Sequence, residues 1–158
     1  MAVLHGCDVP EGLHYDVEHD VWARIEASGE VTLGMTDAAQ TRCGKLVSIR
    51  FKAVGRHVPR GRSLATIESA KWVGAFPAVL TGEIVATNEN AFRADILAAN
   101  KDPYGEGWLV RIRPSDLEAE RRGLVTGAEA VERYRARIDE LKLRCYRCAE
   151  EPAPGGES

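Results

Sequence analysis

Glu68-Ser69-Ala70-Lys71 stands where one strand-like run ends and another begins. Leu64, Thr66 and Glu68 alternate with Ala65, Ile67 and Ser69, which is the period of an extended strand. Beyond the lysine come Trp72-Val73-Gly74-Ala75-Phe76-Pro77 and then, after Leu80, Thr81-Gly82-Glu83-Ile84-Val85-Ala86-Thr87-Asn88. No Asn-Gly or Gly-Gly marks the junction, which argues against a two-residue primed turn. A wider loop built on a type I turn needs no positive φ and suits Ala70-Lys71. Such a loop lifts the lysine ammonium into water at the apex of a hairpin, and an exposed lysine on a rigid platform is what covalent attachment of a carrier group requires. The bland alternative is a solvated turn lysine.

Cys145 and Cys148 form a second candidate. Flanked by Arg144 and Arg147, they fall at the end of a helical pattern, where a spacing of three puts both sulfurs on one face and the guanidinium groups favour thiolate. A redox pair is one reading. Two inert reduced thiols near a frayed terminus is the other, and the favoured one. Cys7 and Cys43 supply no second paired motif for zinc. His19 has no partner set at metal spacing and reads as a packing or hydrogen-bonding histidine.

Around Lys71 the chain resembles the glycine cleavage H-protein family. Glu68-Ser69-Ala70-Lys71 is similar to the family's lipoylation site, Glu-Ser-Val-Lys-Ala, and Gly55 and Gly82 lie sixteen residues before and eleven after the lysine, as in lipoyl domains. Biotinyl domains flank their lysine with methionines, and Ala70 and Trp72 are not methionines. The resemblance runs from Tyr15 to Leu124 and takes in His19-Asp20-Val21-Trp22, Val31 to Gln40, and Asn100 to Leu109. It implies a mainly β, flattened barrel or sandwich hybrid with one short helix and C-terminal helices, carrying lipoate as an amide on Lys71. Glu68, Ser69, Ala70, Trp72 and Gly82 would surround the attachment point. The implied protein is a monomeric carrier loaded by a lipoate ligase and serving the glycine cleavage P, T and L proteins.

Several residues depart from the family pattern. Trp72 follows the lysine where H proteins have alanine, Thr81-Gly82 replaces a proline-based turn, and Cys43-Gly44-Lys45 replaces Leu-Gly-Asp. The cysteine-bearing helix also extends past the usual end. These features resemble more closely the lipoate-binding proteins of the heterodisulfide-reductase-like sulfur-oxidation pathway, whose cargo would be sulfane sulfur. An unmodified interaction module that keeps only the fold is the alternative of another class.

The elements that must position the lysine are short. Residues 1–14 read as an arm, residues 15–124 as the lipoyl domain, residues 125–149 as an amphipathic helix and residues 150–158 as a disordered tail. A strand pair covers Tyr15 to Ala27 and turns at Ser28-Gly29 into Val31–Met35; Thr36 caps a short helix that Gly44 stops. Ser115 with Glu118, and Thr126 with Glu129, have capping-box spacing. Val131, Tyr134, Ile138 and Leu141 draw one apolar stripe expected to pack on the barrel. The second half of the domain carries an extra segment, Asp95 to Tyr104, which the resemblance places beside the arm.

Composition fits this reading. With 158 residues, 44% hydrophobic and 28% charged, the chain can bury a core as one domain. A net charge of −3 offers no footprint for nucleic acid, and no run approaches a membrane span. Leu4 to Cys7 superficially resembles a lipoprotein cleavage site but lacks a basic leader, so a cytoplasmic protein with reduced cysteines is expected. No Ser-His-Asp set, phosphate loop or metal cluster stands out, as befits a carrier rather than an enzyme.

Overall fold

The computed structural model describes residues 1–149. In chain order its strands are β1 (Ala2–Leu4), β2 (Cys7–Val9), β3 (His14–Asp16), β4 (Val21–Ile25) and β5 (Val31–Met35), followed by helix α1 (Asp37–Cys43). Next come β6 (Leu46–Phe51), β7 (His57–Val58), β8 (Ser63–Ser69), β9 (Val73–Pro77) and β10 (Gly82–Thr87), then α2 (Glu89–Ala94) and α3 (Ala98–Lys101). The chain closes with β11 (Val110–Pro114), α4 (Leu117–Glu120), β12 (Val125–Thr126) and α5 (Gly127–Leu141).

Two sheets face one another as a sandwich rather than a closed barrel. One has seven strands in the order β12-β3-β4-β5-β11-β10-β7, and the other has three in the order β6-β8-β9. Alternation along each strand decides what enters the space between them. Ile67 and Ala65 of β8, Phe76 of β9 and Leu46 of β6 meet Val31, Leu33, Ile84, Val110 and Ile112 of the larger sheet in one buried cluster. The strict alternation expected of Leu64–Ser69 is broken at its start: a register shift between Ser63 and Ala65 leaves Leu64 and Ala65 both buried.

A second core lies on the other face of the large sheet, where Tyr15 and Trp22 pack with Leu4, Cys7 and Val9 from the N-terminus and Ala130, Tyr134 and Ile138 of α5. The segment read as an arm is therefore structured: β1 and β2 pair antiparallel as a hairpin turned by His5-Gly6, both at positive φ. The α5 stripe packs on this hairpin and on β3. Leu141, at its end, stays exposed.

Local signals of the chain's start held. Thr36 Oγ1 accepts the Ala39 N–H at 3.1 Å, and Gly44 ends α1 at a φ of 79°. His19 hydrogen-bonds Asp16 at 3.0 Å. Both later caps differ. Asp116, not Ser115, caps α4 through Ala119 N–H at 3.2 Å, and Ser115 instead lies 3.2 Å from His57 Nε2. Thr126 donates its hydroxyl to Leu13 O at 2.6 Å, so it ties the helix start to β3 rather than capping it. The helix expected over 125–149 ends at Leu141, because Lys142 takes a left-handed φ of 52°; residues 143–148 form neither helix nor strand. The tail expected to be disordered, 150–158, lies outside the described residues.

Candidate functional site

Lys71 sits at the tip of the β8–β9 hairpin. Glu68 pairs with Val73, and the Ser69 N–H donates to Trp72 O at 2.8 Å, which closes the loop around Ala70-Lys71. Neither residue has positive φ, as the absence of glycine there demands. The loop is nevertheless tighter than the wide one expected, and Ser69 explains how. Its buried hydroxyl accepts the Lys71 N–H at 3.3 Å and donates to Trp72 O at 3.2 Å, satisfying backbone groups that a two-residue loop leaves open.

A second loop buttresses the tip. Ala70 N–H donates to Lys45 O at 3.0 Å, and the Lys71 side chain lies across Gly44: a Cβ there would stand 3.4 Å from Lys71 Cε. Gly44 thus serves twice, through its left-handed φ and through the room it leaves for the lysine stem. Buried Asn100 of α3 holds this loop from below. Its Nδ2 donates to Gly44 O at 2.9 Å and to Gln40 Oε1 at 3.3 Å, and its Oδ1 accepts the Leu46 N–H at 3.0 Å. The extra segment Asp95 to Tyr104 thereby supports the base of the lysine. Among the described residues Lys71 forms no ion pair.

The neighbours divide clearly. Glu68 is exposed and bonded by Ser48 Oγ at 3.2 Å, on the outward face of the small sheet. Trp72 is 45% exposed, with its ring laid over Gly74, where a Cβ would collide with it. Val73 and Val47 are exposed as well, so the lysine rises from an apolar rim. Gly82 does not belong to this group. It opens β10, paired with Pro114 and Val58, and a Cβ there would stand 2.5 Å from Arg113 O. Its place is the packing of the large sheet.

The cysteines depart most from expectation. Cys145 is disulfide-bonded to Cys7, 138 residues away, and neither it nor Cys148 is on a helix. They are not a redox pair with each other, and they are not both reduced. Sequence spacing could not reveal this, because the bond joins two termini that only the fold brings together. Cys148 and Cys43 remain free and buried. Burial, and then the charge a neighbouring Cys148 thiolate would carry, push the Cys43 thiol to about 11, against a smaller opposing pull from Lys71. Gln40 and Asn100, buried and fully hydrogen-bonded, are the site residues to which the sequence assigned no role; both stood in quoted motif stretches, but nothing marked them as buried.

The family model described as Glycine cleavage H-protein matches residues 13–137. This chain belongs to the glycine cleavage H-protein family. The glycine cleavage system H protein 2 of Aquifex aeolicus is 43% identical over 141 residues, 89% of this chain and 86% of the relative. The probable glycine cleavage system H protein 2 of Saccharolobus solfataricus is 42% identical over 149 residues, 93% and 99% of the two chains. The crystal structure of a glycine cleavage system H protein from Mycobacterium marinum matches with a TM-score of 0.68 at 30% identity, covering 80% of this chain and 98% of that one. H proteins carry lipoate covalently on a lysine and are carriers rather than catalysts. The strap of residues 143–148 lies beyond the matched family region.

Proposed function

We propose that this H protein carries lipoate on Lys71 and moves a cargo between partner enzymes that dock on the hairpin end. The observation behind this reading is the lysine itself: exposed, unpaired among the described residues, and held at a turn whose backbone Ser69 and the Gly44 loop fix from two sides. When bound, lipoate supplies a dithiolane whose sulfurs take up and release the cargo. The chain contributes placement. Ser69 orders the turn, Gly44 clears a path for the lysine stem, and Trp72, Val73 and Val47 give partners an apolar rim to cover. In this reading an ATP-dependent lipoate ligase in the cytoplasm loads the protein. Incubation with ligase, ATP and lipoate should add one lipoyl mass, absent from Lys71→Ala; loading of the alanine variant would overturn the assignment.

Two cargoes compete. The relatives' names point to glycine cleavage, in which the arm takes an aminomethyl group from the pyridoxal-phosphate decarboxylase. It passes that group to the tetrahydrofolate-dependent transferase and is reoxidised by the flavin dehydrogenase, the P, T and L proteins. Trp72 favours the second cargo, sulfur for a heterodisulfide-reductase-like complex. A half-exposed indole beside the arm adds bulk that a glycine decarboxylase would have to accommodate. Numbered second and third H proteins from one organism among the relatives fit a carrier that has diverged in cargo.

A further inference from the structure

Residues 142–148 leave α5 at the left-handed Lys142 and run back as a strap over α1. One anchor is covalent. Cys145 is bonded to Cys7 of the N-terminal hairpin, and its N–H donates to His5 O at 3.0 Å. The other anchors converge on α1. Gln40 Nε2 donates to Tyr146 O at 2.7 Å, Cys148 N–H donates to Gln40 Oε1 at 3.0 Å, and Arg147 bridges Asp8 at 2.6 Å and buried Asp37 at 3.5 Å.

The strap ends in a thiol that it buries against α1, next to the arm. Cys148 is 5% exposed, with its Sγ 3.9 Å from Thr41 O. Cys43 follows in the same helical turn, and the next residue, Gly44, is the one on which the Lys71 stem rests. Cys148 and the Lys71 stem thus both lie against the last turn of α1, which carries Cys43. Tyr146 is 60% exposed, and the strap's ties to α1 are hydrogen bonds and an ion pair. The disulfide, which closes a loop spanning nearly the whole chain, is the anchor that does not depend on burial.

We infer that Cys148 is a concealed thiol site beside the Lys71 arm, opened when a dithiol reduces the Cys7–Cys145 bond and lets the strap lift. The inference rests on the lipoyl reading for its reductant, because a reduced lipoyl group is such a dithiol. The exchange balances without any other oxidant. One thiolate of the dithiol attacks Cys145 Sγ, Cys145 being the less buried residue of the pair at 7% against 1%, and Cys7 leaves and takes a proton. The second thiol then closes the dithiol into a ring disulfide and displaces Cys145, which also ends as a thiol. Two electrons and two protons pass from the dithiol to the cysteine pair. Burial raises the Cys148 thiol while the strap is closed and keeps it inert, so opening both uncovers and activates it. A reduced arm and an open strap therefore belong to one state, an oxidised arm and a closed strap to the other.

The test uses the full, unlipoylated chain, so a failure of Lys71 to accept lipoate cannot imitate any outcome. Free dihydrolipoamide is applied and removed, Cys148 is pulse-labelled with a maleimide, and peptide mass spectrometry reads the site. Labelling should rise at least tenfold over protein treated with oxidised lipoamide, while amide exchange in β8 stays slow. Cys7→Ser should show the high rate without dithiol; if that variant does not fold, the wild-type comparison decides. Unchanged Cys148 labelling with Cys145 shown to be free overturns the inference. So does a disulfide that dihydrolipoamide leaves intact, or labelling that appears only together with loss of protection in β8.

Discussion

Asn100 donates to Gly44 O at 2.9 Å and so fixes the turn on which the Lys71 side chain lies. A residue of α3, 29 positions downstream of the lysine, sets the base of the arm without touching the hairpin. The chain is thus built to hold one flexible side chain on rigid backbone. The rigidity comes from a buried amide with all its bonds made.

Replacing Asn100 by leucine leaves Gly44 O and the Leu46 N–H without their partner in a dry interior. Each orphaned group costs about 1–3 kcal/mol, so the expected loss is at least about 2 kcal/mol. Urea melts should show it. Ligase-driven lipoylation should slow as well, because the loop beneath Lys71 loses its support; a variant with native stability and loading rate would show that this support is dispensable.

Trp72→Ala should change stability by less than about 1 kcal/mol, since half the ring is already in water. Cargo transfer to a partner should fall. Gly74→Ala pushes the indole off β9, so Trp72 fluorescence should shift to the red with little loss of melting temperature. A large fall in melting temperature for Trp72→Ala would place the indole in the core instead.

The cargo can be read by mass. A reduced lipoyl protein that serves sulfur transfer should gain sulfur from a persulfide donor and lose it again with a reductant. It should also support glycine–bicarbonate exchange poorly. Efficient exchange without persulfide uptake selects the aminomethyl cargo and leaves the lipoyl attachment untouched.

Loss of the Cys7–Cys145 bond frees an unfolded chain that the bond otherwise closes over 138 residues. The chain-entropy estimate for a loop of this order is about 4–5 kcal/mol. Urea unfolding of oxidised and reduced protein should differ by an amount of that order, with thiol counts confirming each state.

Alkali should unfold the protein earlier than its small net charge suggests. Burial pushes the Cys43 thiol from 9.0 to about 11 and raises the Tyr104 and Tyr134 phenols well above 10.0; nearby Asp20 adds to the shift of Tyr134. These folded groups keep their protons where the unfolded chain releases them. Their contribution to stability is therefore full below the unfolded values and is lost as pH rises through and above them. Urea midpoints should fall between about pH 8 and about pH 10.5, and Tyr134→Phe should flatten the slope.

Much of the site was legible in order along the chain because its signals are local. The strand that ends at Ser69, the glycine-free turn and the Thr36 cap depend on neighbours within a few residues, and each is found where the sequence places it, although the strand's alternation breaks at Leu64-Ala65. Resemblance of Tyr15 to Leu124 to H proteins then supplied the family. What spacing could not decide was set by contacts between distant segments. Ser115 lost the cap to Asp116 because His57 lies beside it, and Thr126 turned to Leu13 because β12 pairs with β3. Cys145 left Cys148 for Cys7 because the N-terminal hairpin packs against α5 and the strap that follows it. A disulfide needs two sulfurs within bonding distance, and chain separation says nothing about that until the fold has closed.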